Sequence, residues 1–231
     1  MREFICSTSV WAVTMTVIAY GVGTYFQGKL KASWCNPLII GSLVMILFLS
    51  LTGIPYETYM EEAKPITYLL LPATVSLAIP LYEQIEHLKK NLAAILCGIT
   101  AGTLTSLLCI IIIAWVFRVD TPHAISMMPK SVTTAIGVDV ANELGGIGAL
   151  TAAMICFTGI SGNLMSQGLC KLLHITDPIA KGVAIGTSSH ALGTTKALEM
   201  GQLEGAMSSL SIAVAGIITA IACPMFVGLL P

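Results

Sequence analysis

A chain of 231 residues that is 55% hydrophobic and 10% charged, with a mean hydropathy of +0.87, excludes a soluble globular domain, in which about a quarter of residues carry charge. A formal net charge of −1 gives no reason to invoke nucleic acid, and the seven cysteines show neither CxxC nor metal-ligand spacing. The expectation is one all-α polytopic membrane domain over residues 1–231, with spans of about 20 residues each.

Phe4 to Phe26 reads as the first span, ending at Gly28-Lys29-Leu30-Lys31. Arg2 is a thin basic start and no A-x-A site follows, so this helix is expected to be retained rather than cleaved. Asn36-Pro37 opens a second span that runs to Gly53, followed by an acidic loop with Glu57, Glu61 and Glu62 opposed only by Lys64. Tyr68 to Tyr82 is a third apolar stretch. Pro72 and Pro80 flank TVSLAI there, and proline removes a backbone donor and crowds the preceding turn, so a broken helix is expected. Glu83 to Lys90 reads as a charged connector and Leu92 to Phe117 as a long span. Pro129 to Glu143 is too polar for a simple span and either crosses or re-enters. Gly146 to Leu173 and Ala206 to Leu230 are further spans. The count is about seven to eight transmembrane or broken helices, at roughly 20 residues per crossing.

Between the last two spans lies AKGVAIGTSSHALGTTKALEMG, Ala180 to Gly201. Its hydroxyls, histidine and four glycines do not suit a lipid-facing helix, because unpaired polar groups in hydrocarbon cost several kcal/mol each. Interleaved Val183, Ile185, Leu192 and Leu198 do not suit a loop in water. A broken helix lining a polar cavity satisfies both.

Three hydroxyl-rich clusters, each with a helix breaker, are therefore candidate binding elements. The first holds Thr74 and Ser76, the second Lys130, Ser131, Thr133 and Thr134, the third Thr187, Ser188, Ser189, His190 and Thr194. A half-helix N-terminus presents free N–H groups and partial positive charge, which suits a small anion, and Lys130 adds a full charge. Against this, a membrane hydroxyl often bonds only to its own backbone or across a helix contact, and His190 serves equally well as a structural residue. Glu199 is placed to pair with Lys196, and Glu204 reads as an interfacial carboxylate. No HExxH, phosphate-binding lysine loop or GxGxxG opens a helix, so neither enzyme, cofactor nor metal site is expected.

Ala101-Gly102-x-x-Thr105-x-x-x-Cys109 recurs as Ala215-Gly216-x-x-Thr219-x-x-x-Cys223. Read as a repeat, it relates residues 36–117 to 146–230 and pairs the break at Pro72–Pro80 with that at Thr187–Thr194. Paired breaks in two halves mark the binding site of many secondary transporters. With the N-terminus outside, Lys29, Lys31, Lys89, Lys90, Lys171 and Lys181 fall on the cytoplasmic side and the halves are inverted.

The stretches NPLIIG (Asn36–Gly41), PATVSLAIPLYEQ (Pro72–Gln84), PKSVTT (Pro129–Thr134), GVAIGTSSHALGTTKALE (Gly182–Glu199) and EGAMSSLSIAVAGIIT (Glu204–Thr219) together resemble the LrgB/CidB family over nearly the whole chain. One departure is Ala135, where the family commonly has proline after PKSVTT. The resemblance implies a multi-pass protein of the bacterial plasma membrane, often paired with a small LrgA/CidA holin-like partner. It implies movement of pyruvate, glycolate or acetate, as in the related plastidal carriers of glycolate and glycerate, or antiholin-like control of murein hydrolase activity. Expected partners are thus a small organic anion, the bilayer and an LrgA/CidA-like protein, with self-association left open.

Overall fold

In hydrocarbon a backbone must satisfy its own polar groups, and helices do so within one segment. A computed structural model describes residues 9–30 and 37–231, and among them every regular element is helical. Lys31 and Asn36, and the side chain of Thr74, lie outside the described residues. The chain divides into two compact units, the first ending at Ser76 and the second covering Leu77–Pro231.

The first unit holds α1 (Ser9–Leu30), α2 (Pro37–Thr52), α3 (Tyr56–Glu62), α4 (Lys64–Tyr68) and α5 (Leu70–Ser76). Gly53, at φ 64°, and Pro55 end α2, and α3 departs at 119° to it. The acidic loop expected here is therefore mostly helix. Gly23 and Gly41 bring α1 and α2 into backbone contact, since a Cβ on Gly41 would lie 3.3 Å from the Ala19 carbonyl oxygen. Trp11, Phe48 and Tyr59 pack at centroid distances of 6.4 and 6.2 Å from the indole, and the Thr16 and Tyr59 hydroxyls bond at 2.8 Å.

The second unit holds α6 (Ala78–Glu83), α7 (Ile85–Phe117), α8 (Thr121–Met127), α9 (Thr134–Glu143), α10 (Gly148–Leu172), α11 (Pro178–Met200) and α12 (Gln202–Val227). The charged stretch before Leu92 is not a connector. It forms the start of α7, which kinks at Asn91 (φ −117°, ψ 15°). Helices α11 and α12 pack tightly, and α11 doubles back at His190, so that the part before it runs in the same sense as α12 and only the part after it runs antiparallel. Gly182 faces the backbone of Glu204, Gly186 that of Ser208, and Gly205 the side chain of Leu198. Ile95, Ile99, Val183, Ala206, Met207 and Ala215 make one apolar core between α7, α11 and α12. Leu107, Ile110, Met128, Ala222 and Cys223 make a second.

Among the described residues, α1, α7, α10 and α12 are long and apolar enough to cross a bilayer, and the bent pair α2–α3 brings the number to five if it forms one span. The larger number expected from sequence relied on three further segments. Tyr68–Tyr82 is divided among short helices at Leu69 and Leu77, and Pro129–Glu143 yields a turn and the ten-residue α9. At 1.5 Å per residue α9 is about 15 Å long, half a bilayer core. Helix α11 covers 23 residues but is interrupted at His190, so neither of its halves reaches the roughly 20 residues of a crossing, and it is rich in polar groups.

Candidate functional site

Helix α11 starts at Asp177, whose carboxylate accepts from the Ala180 amide at 2.8 Å, and it is interrupted at His190. There φ is 42° and ψ −141°, a conformation that L-residues rarely adopt and that persists only where surrounding contacts impose it. Those contacts are specific. His190 Nε2 lies 3.0 Å from the Ile155 carbonyl oxygen, and the imidazole fills space left by Gly159, where a Cβ would come within 2.7 Å of the ring. Ser189 sits against Gly162. Beyond the break, the Thr194 hydroxyl donates to the His190 carbonyl at 3.0 Å and meets the Ser208 hydroxyl of α12 at 2.7 Å. Ser189, His190 and Thr194 are all buried and lock the break to α10 and α12.

Ahead of the break, α11 faces α7. Gly98 admits Val183 and Gly102 admits the methyl of Thr187, so the two helices run close together. A groove of about 720 Å³ opens along them, with Asn91 and Asp177 at one end and Ser106, Lys130, Ser131, Thr187 and Ser188 at the other. Its walls between these ends are Ala94, Ile95, Ile179, Val183 and neighbouring small residues. Lys130 occupies the turn between α8 and α9 and donates to the Ser106 and Ser131 hydroxyls, both at 3.1 Å. Among the described residues it pairs with no carboxylate. A half-buried ammonium held by neutral hydroxyls at the end of an apolar groove is suited to receive an anionic group.

The candidates read from sequence thus separate. Lys130, Ser131, Thr187 and Ser188 line the groove, whereas Ser189, His190 and Thr194 stand behind it in packing contacts. Thr133 and Thr134 start α9 and do not line the groove. Ser76, in the first unit, is exposed and bonds back to the Ala73 carbonyl at 2.7 Å. Ser106 was missed, because α7 reads as a plain apolar span. The signal available was the run Thr103, Thr105, Ser106 inside it. Lys196 and Glu199 pair at 2.9 Å, as their spacing predicts. Glu204, read as interfacial, is 9% exposed and folds over Gly201 at the start of α12, where the helix N-terminus favours a carboxylate. No three His, Cys, Asp or Glu side chains converge as metal ligands among the described residues.

A search of solved structures returns no match. The antiholin-like protein LrgB of Bacillus cereus (strain B4264) and that of Bacillus anthracis (strain A0248) are each 36% identical to the chain over 220 residues, covering 95% of it and 96% of the relative. The model of the LrgB-like family matches residues 16–229. Taken with the apolar spans of both units, agreement over almost the full length means that the chain belongs to the LrgB-like family of multi-pass bacterial membrane proteins.

Proposed function

We propose that this protein is an antiholin-like regulator, restraining murein hydrolase activity and autolysis in concert with a small LrgA/CidA-like membrane partner. The observation that carries this reading is relatives named antiholin-like at 36% identity over 95% of the chain. Disruption of the gene in its host, followed by detergent-induced autolysis, tests it. Faster lysis that returns to the parental rate on complementation supports the reading, and an unchanged rate overturns it. Co-purification with an LrgA/CidA-like protein tests the partnership separately.

A second reading rests on one structural observation, Lys130 at the polar end of the groove with no carboxylate partner among the described residues. It is that the chain carries or facilitates passage of small organic anions, short monocarboxylates such as pyruvate, glycolate or acetate. Proteoliposomes containing the protein, with and without the partner, then show saturable uptake of labelled acid. Lys130→Met lowers that uptake by roughly 10-fold or more, in keeping with about 1.5–3 kcal/mol for a charge-assisted hydrogen bond. Absence of uptake of every short carboxylate removes this reading and leaves the first in place. The same reading gives the chain about seven crossings and an inverted repeat of 36–117 on 146–230. The supporting feature is the matched AGxxTxxxC sequence, which falls on α7 and α12, both of spanning length.

A further inference from the structure

Next to Lys130 lies a small void of about 10 Å³, lined by five hydroxyl residues, Thr103 and Ser106 of α7, Ser131 of the α8–α9 turn, Thr187 of α11 and Thr219 of α12, and closed by Leu107 and Met128. Hydroxyls in membrane helices ordinarily return to the carbonyl four residues back, as Thr100, Thr151, Ser209 and Ser211 do here. Thr103 and Thr187 do not. They are 5% and 6% exposed, and their Oγ1 atoms are fully buried with no hydrogen-bond partner. An empty cage would leave both hydroxyls orphaned, a desolvation penalty that native structures seldom carry. The centre of a water-sized sphere has about 10 Å³ in which to move, which is room for one water molecule or one monatomic ion and too little for a polyatomic ligand as a whole.

Charge selects among the particles that fit. Lys130 donates to both Ser106 and Ser131, so each of these hydroxyls has a lone pair committed to the ammonium and its own proton turned elsewhere. The two serine oxygens are 3.4 Å apart, so one proton at most is absorbed between them. Among the described residues the one carboxylate lining the groove, that of Asp177, sits ten positions before Thr187, about 15 Å along α11, and is bonded to the Ala180 amide. The cage is therefore rich in donors and lies beside an uncompensated cation, which opposes sodium or potassium and favours an acceptor that carries negative charge.

We propose that this hydroxyl cage binds a single halide ion, chloride under cellular conditions, between Thr103, Thr187 and the serines that hold Lys130. Neither functional reading above requires such an ion, and its presence does not depend on which of them holds. The bound ion is linked to Lys130 only through Ser106 and Ser131, leaves the ammonium facing the groove, and ties α7, the α8–α9 turn, α11 and α12 together.

The test follows the unfolding midpoint of the purified full chain in detergent at constant ionic strength, as choline chloride, sodium bromide or sodium acetate replaces sodium gluconate. Chloride and bromide are expected to raise the midpoint saturably, by roughly 5 °C at 100-fold excess over Kd, whichever cation accompanies them. Thr187→Val abolishes the halide response and raises the midpoint in gluconate, because it removes an orphan hydroxyl while keeping the side-chain shape. Thr103→Val does the same. A flat or merely linear response of the wild-type chain overturns the proposal without recourse to any variant. So does stabilisation that follows sodium, or that follows acetate but not halide. A cage that holds only water gives no anion dependence, and Thr187→Val then lowers the midpoint in every salt.

Discussion

Single atoms decide how closely the helices of the second unit approach. Gly162 is covered by Ser189 so tightly that a Cβ there has no room, whereas Gly168, six positions along the same helix, has nothing within 4 Å. Gly162→Ala is therefore expected to destabilise the protein by about 1–3 kcal/mol through overpacking, and Gly168→Ala to stabilise it by about 0.5–1 kcal/mol through helix propensity. Unfolding midpoints of the two variants in one detergent, moving in opposite directions, check this. A common sign for both would show that backbone propensity rather than the Ser189 contact governs the position. The residue scale is also where the sequence was hardest to read. The polarity of Lys130, Ser131, Thr187 and Ser188 marked them, yet nothing in their composition distinguished them from Ser189 or Thr194, which are equally polar and spent on packing. Separating Thr187 and Ser188 from Ser189 and Thr194 requires the direction in which each side chain leaves α11, and for Thr194 the break at His190 resets that direction.

At the scale of the element, the interruption of α11 was legible from glycine, hydroxyl and histidine in one apolar setting, and its position was not. Four glycines are candidates for the break, but it falls on His190, because the imidazole alone reaches the Ile155 carbonyl across α10. A positive φ on a non-glycine residue costs of order 1–3 kcal/mol and is maintained by that contact. His190→Gly relieves the backbone strain while losing the contact, and His190→Val loses the contact and adds a β-branched side chain to a disfavoured conformation. The valine variant is expected to be less stable than the glycine variant by about 1–2 kcal/mol. Urea or thermal unfolding of the two in detergent measures the difference, and equal stabilities would mean that the conformation at 190 relaxes once the imidazole is gone. The segments Tyr68–Tyr82 and Glu83–Lys90 went differently. Proline correctly signalled interruption of the first, but the charges of the second suggested a connector where α7 in fact continues, since Glu86, Lys89 and Lys90 lie on the exposed side of a helix whose inner side carries Leu88.

For the whole molecule, hydropathy gave the membrane assignment and four of the spanning helices directly, because α1, α7, α10 and α12 bring enough apolar residues in one run. It did not give the number of crossings, since α11 is polar and broken at His190 and α9 is polar and short. The location of the C-terminus separates the alternatives. With an external N-terminus, seven crossings place Pro231 in the cytoplasm together with the loops bearing Lys89, Lys90, Lys171 and Lys181, in accord with the preference of basic residues for that side. If residues 129–143 also cross, the count becomes eight, and Lys171, Lys181 and Pro231 all move outside. A green fluorescent protein fused after Pro231 is expected to fluoresce, and alkaline phosphatase at the same place to be inactive. In a variant lacking all seven native cysteines, Cys at Glu61 is then labelled from outside by an impermeant maleimide, while Cys at Lys171 is labelled only after the membrane is opened. Labelling of the second site in intact cells would overturn seven crossings and the inverted repeat with them, because 146–230 would then run in the same sense as 36–117. The groove and the hydroxyl cage would survive that outcome, since both are built within the second unit from helices whose mutual packing does not depend on which side of the membrane each end reaches.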